Sequence, residues 1–487
     1  MSTRFGVAII VCVLLVSQNA FSDMKESKKG CVPSATEKLI ENLSNRNGKP
    51  PVVALDECIC IALKKNTNRE ISVIAVSIAE AQHKQSMSSY WPEINLNFGA
   101  SIMEEDLNFI FPAEVSEYSI SGIAPVPMDV TVNIPEKDIK VMGKELYKGA
   151  LEFKIPLYAG GIRPAISKQA ELGVEAAKQS LRRTELKLIF DVKKMYYAGL
   201  LSEDLVKTGE EALGRLNVTL MLTEQLYKKG SGSVRKTDYL RNKVMVESLN
   251  SIVTGWKSNR TIAKTALANT MGINWDAAFE LSGKDIPFRV LSASADDFVK
   301  ETMEFNPDWK RLQKALEIAE AKIKEEKGGY LPKLMLSGTT WNMHSDYDEG
   351  VETGDNYSGW KIELGMQVPV FQGFITKSRV SEAKLRHRQL KKQKRLMEDG
   401  LALQVNHAFL KVKSLNHQKA ASFKAYENAK ENRKLNIRAY ESGMVKTQDV
   451  LEAQLMESLM EVRYRKMLYE YAEAGFYLDF LIGKNQG

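Results

Sequence analysis

Two short segments, each at the end of a long helix-forming tract, share residues that could do chemistry. Each has a tyrosine three residues before a glycine, with an aspartate further on: Tyr227, Gly230 and Asp238 in one, and Tyr440, Gly443 and Asp449 in the other. A glycine after a helix often takes the left-handed backbone conformation. A carboxylate at the start of the next helix accepts hydrogen bonds from exposed backbone amides. The segments therefore predict two helix-to-helix turns with acidic groups beside them.

The rest of the sequence lacks the residue patterns of common active sites. HExxH, P-loop, G-x-S-x-G and dinucleotide-binding motifs are all missing. The histidines show no metal-ligand spacing; they are His83, His344, His387, His407 and His417. We therefore expect no catalytic residue, no metal site and no cofactor, and we do not expect an enzyme.

The N-terminus carries a predicted export signal. Arg4 supplies a positive charge, Gly6–Val16 is apolar, and Ala20–Ser22 is a small-x-small cleavage site. These features predict a signal peptide over residues 1–22, followed by an N-terminal extension over residues 23–51. The protein is therefore expected to leave the cytosol.

The cysteines then lie in an oxidising compartment. Cys12 is removed with the signal peptide, which leaves Cys31, Cys58 and Cys60. We expect a disulfide between Cys31 and either Cys58 or Cys60, with the third thiol unpaired. A Cys-x-Cys metal site is the alternative.

Composition narrows the class of protein. The chain has 68 Lys and Arg against 61 Asp and Glu, a net charge of +7 that we take as spread along 487 residues, so nucleic acid is not an expected partner. Only 14 Pro and 31 Gly interrupt tracts that favour long helices. Beyond the signal, no stretch approaches the ~20 consecutive apolar residues of a membrane-spanning helix.

The chain is internally duplicated. The segment from Asn66 aligns without gaps on the segment from Asn306, an offset of 240 that places Tyr90 on Tyr330. A second block, from Ile155, aligns on the block from Val368 at an offset of 213. We assign residues 52–290 to a first structural repeat and residues 291–487 to a second.

Each repeat predicts two strands and one very long helix. Alternating apolar and polar residues indicate strands at about 93–103, 148–158, 333–343 and 358–371. Alternation alone fits either a soluble sheet or the wall of a membrane barrel. Uninterrupted helices over 164–227 and 376–440, each about 96 Å long, are too long for a globular domain and favour the barrel. Four strands leave two unpaired edges, so a dimer of eight strands or a trimer of twelve is needed.

These features together resemble the TolC-like outer-membrane efflux protein family. The resemblance rests on the duplicated helices ending in Tyr90-Trp91-Pro92 and Tyr330-Leu331-Pro332, on the passages PLYAGG and PVFQGF, and on the paired Tyr-x-x-Gly turns. It implies a membrane β-barrel joined to a long α-helical barrel, with twelve strands in a homotrimer. It also implies a passive exit duct in the outer membrane of a Gram-negative bacterium, extending into the periplasm, and contact with outer-membrane lipid.

The resemblance further implies partners and site residues. Family members act with a periplasmic adaptor and an inner-membrane transporter, in tripartite efflux or type I secretion. Carried over by position, a periplasmic gate would include Asp238, Asp449, Glu452 and Tyr440. The tip that docks the adaptor would include Tyr227, Gly230, Gly443 and Val445. Val445 stands where some relatives have an arginine, and the Gly-Ser-Gly-Ser run at 230–233 is an insertion.

Several alternatives stay open at this stage. Asp238 and Asp449 could line the gate, cap a helix, or do both. The long segment from about 104 to 148 could be a solvated loop or could cover the mouth of a barrel and bind a surface partner. The whole chain could instead be a periplasmic adaptor or a structural envelope spacer, but the tandem arrangement of strand pairs and helices favours the channel.

Overall fold

The computed structural model describes residues 50–120, 128–230, 234–283, 286–287, 291, 293–346, 348 and 358–484. The predicted signal peptide, Cys31, almost all of the extension and residues 231–233 of the Gly-Ser insertion lie outside the described residues.

Helices make up most of the described chain. In chain order, α1 to α8 are Leu55–Lys65, Thr67–Ser88, Ile162–Lys228, Lys236–Met271, Ala295–Phe305, Pro307–Lys327, Ile375–Glu441 and Thr447–Ile482, with a 3₁₀ turn at Gly328–Tyr330. The long helices α3 and α7 each have 67 residues, slightly more than the sequence predicts. Among the described residues, no helix is both long and apolar enough to span a membrane.

The strands form one main sheet and three small pairs. In chain order, β1 to β10 are Val52–Val53, Glu93–Ile102, Leu107–Phe111, Glu114–Ile120, Met128–Ile134, Lys137–Met142, Glu145–Ala159, Glu280–Leu281, Lys333–Ser345 and Ser358–Gln367. The main sheet is antiparallel with strand order β10-β9-β7-β2. Strand β1 pairs with β8, β3 with β6, and β4 with β5. Each repeat thus contributes one interior strand and one edge strand to the main sheet.

The last strand is shorter than the alternation predicts. Strand β10 ends at Gln367, whereas the sequence indicates a strand to residue 371. Gln367 pairs with Lys333, the first residue of β9, so no partner strand remains beyond it. Pro369 also lacks the backbone N–H that a further ladder bond requires. The prediction of strand to residue 371 is therefore wrong at its C-terminal end.

The segment between β2 and β7 is folded rather than an open loop. It contains two antiparallel ribbons, β3 with β6 and β4 with β5. Its base is held by Lys140, whose Nζ lies 3.2 Å from Asp346 Oδ2 and whose backbone N–H donates to Asp348 at 2.8 Å. The Gly143 N–H donates to the backbone oxygen of Asp346 at 2.6 Å. The ribbons therefore leave the sheet from a fixed base.

The helical chain divides into two compact units that cut across the sequence repeats. The first comprises the described parts of Met1–Asn66, Leu188–Phe288 and Gln418–Glu473. The second comprises Thr67–Lys187, Arg289–His417 and Ala474–Gly487, and it holds the main sheet. A core in the first unit joins Ala212, Leu216, Val246, Leu249, Val253 and Leu451. A core in the second joins Phe298, Val405, Ala408, Leu478, Leu481 and Ile482.

Candidate functional site

The turn from α7 to α8 is closed by glycine. Gly443 has φ of 72°, the left-handed region, and its N–H donates to the Tyr440 carbonyl oxygen at 2.9 Å. The Met444 N–H donates to the Ala439 carbonyl oxygen at 2.8 Å, so the last carbonyl groups of α7 are satisfied. Met444 itself is 78% exposed. The turn therefore presents an apolar side chain on a rigid backbone.

The turn from α3 to α4 has the same glycine geometry. Gly230 has φ of 70°, and its N–H donates to the Tyr227 carbonyl oxygen at 3.0 Å. The rings of Tyr227 and Tyr239 stack with centroids 5.9 Å apart and planes 3° apart. This stack joins the end of α3 to the start of α4 across the residues of the insertion.

The two predicted aspartates cap the helices that follow the turns, but from the third helical position. Asp238 accepts the Arg235 N–H at 3.0 Å, and Asp449 accepts the Lys446 N–H at 2.8 Å. Arg235 and Lys446 are the residues that directly precede α4 and α8. Each carboxylate thus satisfies a donor of the helix start and lies near the positive end of the helix dipole.

The other predicted gate residues lie beside Asp449. Thr447 Oγ1 donates to Tyr440 Oη at 3.3 Å. Glu452 is exposed and accepts a hydrogen bond from Gln448 Nε2 at 2.8 Å. Gln448 Oε1 in turn accepts from Arg241, so a chain of hydrogen bonds runs from α4 to α8.

Sequence reasoning missed Arg241 and Gln448, because nothing in the repeats indicated that side chains of the two turns would meet. Val445 is half-buried in the α7–α8 turn.

A buried ion cluster in the same unit was also missed. The Glu457 side chain of α8 is 6% exposed and lies 2.5 Å from Arg433 Nε of α7 and 3.9 Å from Arg215 Nη2 of α3. Arg215 also donates to Ser458 Oγ at 3.3 Å. Within the described residues, Nε of both arginines and Oε2 of Glu457 lack a hydrogen-bond partner. One carboxylate therefore bridges three helices through charge rather than through a complete hydrogen-bond network.

A second ion group lies further along α8. Arg465 contacts Glu461 at 2.8 Å and Asp204 of α3 at 2.7 Å. Burial would lower the pKa of the Arg465 guanidinium, but its hydrogen bond to Glu461 and the charge of Asp204 raise it. One signal was visible in the sequence, since Glu457, Glu461 and Arg465 follow at intervals of four along one helix face. Their partners on other helices could not be found that way.

The cysteines of α1 have different states. Cys58 is a buried free thiol, and burial followed by the charge of Glu57 raises its pKa to about 12. Cys60 is disulfide-bonded. The predicted alternative of a disulfide between Cys31 and Cys58 is therefore wrong, because Cys58 is free. The pairing of Cys60 with Cys31 stays a prediction. Within the described part of the chain, no group of three or more His, Cys, Asp or Glu side chains is placed to hold a metal ion.

Comparison with known proteins decides the family. The family described as "Outer membrane efflux protein" matches residues 138–272 and 299–484, which is more than half of the chain. The chain belongs to this outer membrane efflux protein family. The resemblance read from the repeats is therefore confirmed, and the channel is favoured over the periplasmic adaptor.

Individual relatives of this efflux protein are distant in sequence. It is 22% identical to Nodulation protein T of Rhizobium leguminosarum bv. trifolii over 326 residues, which are 66% of this chain and 68% of the relative. It is 23% identical to outer membrane protein TolC of Vibrio cholerae over 270 residues, 54% of this chain and 60% of TolC.

The fold of this efflux protein is shared with solved structures. The crystal structure of the outer membrane protein VceC from Vibrio cholerae superposes with a TM-score of 0.69 at 16% identity, covering 89% of this chain and 97% of VceC.

Proposed function

We propose that this protein is one subunit of a homotrimeric duct in the outer membrane of a Gram-negative bacterium. Three copies of the main sheet close a twelve-stranded barrel, and the long helices extend it as a tube into the periplasm. Cargo diffuses through the water-filled interior. A periplasmic adaptor and an inner-membrane transporter supply coupling and energy, as in tripartite efflux or type I secretion.

The observation that carries this proposal is the two-sidedness of the main sheet. Strand register places Trp360, Thr340, Leu151 and Leu96 in one row across the sheet, and Ile362, Gly338, Phe153 and Ile94 in the next. Trp360, Ile362 and Phe98 on this face are 74%, 64% and 79% exposed. An apolar face that continues across four strands without a covering layer matches a lipid-facing wall.

The opposite face of the sheet is polar. One row contains Lys361, Thr339, Glu152 and Asn95, and the next contains Glu363, Ser337, Lys154 and Glu93. Lys361 and Glu363 pair at 3.3 Å on this face, and so do Lys154 and Glu152. Charged pairs on one side and bare apolar residues on the other are what a barrel with a water-filled interior requires.

The edges of the sheet support assembly with further copies. Strands β2 and β10 each pair on one side only among the described residues, and lipid does not tolerate open sheet edges. The helices that adjoin these edge strands, α2 before β2 and α7 after β10, both carry exposed apolar residues at helical spacing. On α2 these are Ile71, Ile74 and Ile78, and on α7 they are Leu385, Leu396, Leu403 and Leu410. Pairing α2 of one copy with α7 of the next would cover both sets.

The turns α3–α4 and α7–α8 fit the periplasmic end of the duct. Threefold symmetry would bring three copies of Asp449 and Glu452 toward one axis, where like charges oppose closure and attract cations. Asp238 and Tyr440 belong to the same proposed gate. The proposed docking tip for the adaptor comprises Tyr227, Gly230, Gly443 and Val445, and the exposed Met444 adds apolar surface to it.

Planar bilayer recording tests the proposal. Purified, folded oligomer added to one side of a lipid bilayer is expected to produce discrete ionic conductance steps. A folded oligomer that inserts and gives no conductance would reject the duct and favour a structural spacer. An oligomer that stays soluble without detergent would reject the membrane assignment altogether.

A further inference from the structure

The start of α7 carries an unusual concentration of positive charge. Residues 377–395 contain nine Lys and Arg and one acidic residue, Glu382. The aligned stretch of the first repeat, residues 164–182 in α3, contains three Lys and Arg and two acidic residues. The excess charge is therefore a property of the second repeat and of this end of α7.

Most of these cations have no salt-bridge partner in the described part of the chain. Arg386 pairs with Glu382 at 2.6 Å, and Lys394 lies 5.2 Å from the Trp309 ring centroid. The others are exposed and form no salt bridge within the described residues; they are Lys377, Arg379, Lys384, Arg388, Lys391, Lys392 and Arg395. In the first repeat, Lys168 pairs with Glu171 at 2.9 Å and Lys178 with Glu80 at 4.0 Å.

Most of the unpaired cations share one face of the helix. At about 100° per residue, Lys377, Lys384, Arg388, Lys391 and Arg395 fall within about 60° of one another. The buried residues Ala383 and Leu401 lie on a different side, and the buried Val380 lies at the border between the two. The exposed leucines that we assign to the neighbouring copy lie on a third side. The basic face is thus not used for packing in the subunit or in the proposed trimer.

The outward direction of this face follows from α5. Phe298 of α5 packs on Val405 and Phe409 of α7, on the side that adjoins the basic face. A short helix added to the wall of an open duct must lie outside the wall, because inside it would obstruct the passage. The basic face therefore lies toward the outer surface of the tube.

The chain just before α7 leads out of the lipid-facing strand. Val368, Val370, Phe371 and Phe374 are 53%, 93%, 73% and 66% exposed between β10 and the basic helix. Exposed aromatic residues at such a junction are typical of a membrane–water interface. Lys377 and Arg379 follow directly, and Lys384 and Arg388 come one and a half to three turns later.

We propose that the basic face at the start of α7 binds the headgroups of anionic phospholipids in the periplasm-facing leaflet of the outer membrane. A polybasic segment directly beside a membrane-embedded element binds anionic lipid through charge, with an attraction that fades within about one Debye length. Lys377, Lys384 and Arg388 are therefore the residues of the basic face that contribute most. Arg379 lies on another side of the helix but adds positive charge at the same short distance from the lipid-facing strand. The inference rests on the proposed membrane position of the main sheet.

The test measures phospholipid selection by the intact oligomer in detergent. Wild type and the K377Q/R379Q/K384Q/R388Q variant are mixed with equal amounts of phosphatidylglycerol and phosphatidylcholine, and bound lipid is counted by native mass spectrometry. Wild type is expected to bind more phosphatidylglycerol than phosphatidylcholine. The ratio of bound phosphatidylglycerol to bound phosphatidylcholine is expected to be about tenfold lower for the variant. Raising the salt should reduce the wild-type enrichment as well.

Two further variants control for total charge and for folding. K411Q/K413Q/K424Q/K434Q removes four exposed cations at least about 35 Å further along the same helix and should keep the enrichment. K377R/R379K/K384R/R388K keeps the charge and should also keep it.

Equal phosphatidylglycerol enrichment in wild type and the neutral variant would overturn the proposal. So would equal losses in the neutral variant and the distant control. Unchanged lipid selection, together with lost capture of an acidic periplasmic protein, would assign the face to a protein partner instead. The neutral variant should still conduct in planar bilayers, so failure of lipid selection and failure of the duct are separate results.

Discussion

The two long helices have equal length but different surroundings. Helix α3 follows β7, an interior strand, and lies among other helices of its own chain: Arg69 of α2 pairs with Glu185, Arg183 pairs with Asp308 of α6 at 2.8 Å, and Lys314 of α6 pairs with Glu175. Helix α7 follows β10, an edge strand, and shows exposed leucines and unpaired cations. The two aligned halves of the sequence each place a long helix after a strand, but the surface chemistry of the helix differs with the position of that strand at the interior or at the edge of the sheet.

The largest expected effect comes where both long helices meet one carboxylate. Glu457→Ala leaves the half-buried Arg215 and Arg433 without their buried counter-charge and is expected to lower the free energy of unfolding by up to about 3–5 kcal/mol. Urea unfolding followed by circular dichroism in detergent measures it.

Replacing each arginine separately compares the contribution of α3 with that of α7 to the Glu457 cluster. Arg433→Gln should cost more than Arg215→Gln, because the Arg433 contact to Glu457 is 2.5 Å and the Arg215 contact is 3.9 Å. Equal losses in the free energy of unfolding would mean that α3 and α7 contribute equally to the cluster.

The next largest effect tests the exposed leucines of α7, which we propose to contact α2 of the neighbouring copy. Leu403→Asp is expected to weaken trimer assembly by about 1.5–3 kcal/mol per interface, the usual contribution of a buried leucine. Native electrophoresis of detergent-solubilised protein reports the trimer fraction. Asn416→Asp adds the same charge at an exposed position about 140° around the helix and should leave the trimer intact. A trimer that tolerates Leu403→Asp would contradict the proposed interface.

A smaller effect compares equivalent strands of the two repeats. Gly338 lies in the interior strand β9, where an added Cβ would lie 2.2 Å from the Phe153 ring. Gly99 lies in the edge strand β2 and has no atom within 4 Å of such a Cβ. Gly338→Ala is expected to lower the free energy of unfolding by about 1–3 kcal/mol, and Gly99→Ala is expected to lower it much less. Thermal midpoints of the two variants in detergent check this, and matching midpoints would refute it.

The smallest effect compares the two turns. Asp238→Asn and Asp449→Asn each remove a charge near a helix N-terminus, at about 0.3–1 kcal/mol. The gate hypothesis predicts a further effect: Asp449→Ala should weaken channel block by multivalent cations added from the periplasmic side. An unchanged blocking affinity in single-channel recordings would leave Asp449 as a helix cap only.

Much of the architecture could be predicted because it depends on local patterns. Alternation located the four strands of the main sheet, and the absence of proline located α3 and α7. The end of β10 was misjudged because it depends on where the partner strand β9 begins at Lys333. The ribbons between β2 and β7 were missed although β5 alternates apolar and polar residues throughout, because their strands are short and their base is held by distant residues such as Asp346.

The site was less predictable than the fold. The turn glycines and the capping aspartates follow from local helix rules, so the sequence located them. The Glu457 cluster was missed because its partners come from helices α3 and α7, far apart in sequence. The net charge of +7 was read as evenly spread, although residues 377–395 alone supply an excess of eight positive charges, nine basic against one acidic.

The single-sided pairing of β2 and β10 has a consequence for biogenesis. A lone copy exposes backbone donors and acceptors at both edges, and hydrocarbon cannot satisfy them. For the proposed trimer, insertion is then tied to assembly, with three nascent subunits entering lipid together. A subunit with a mutated edge strand would inactivate oligomers that it forms with wild-type subunits. Such alleles should therefore be dominant negative.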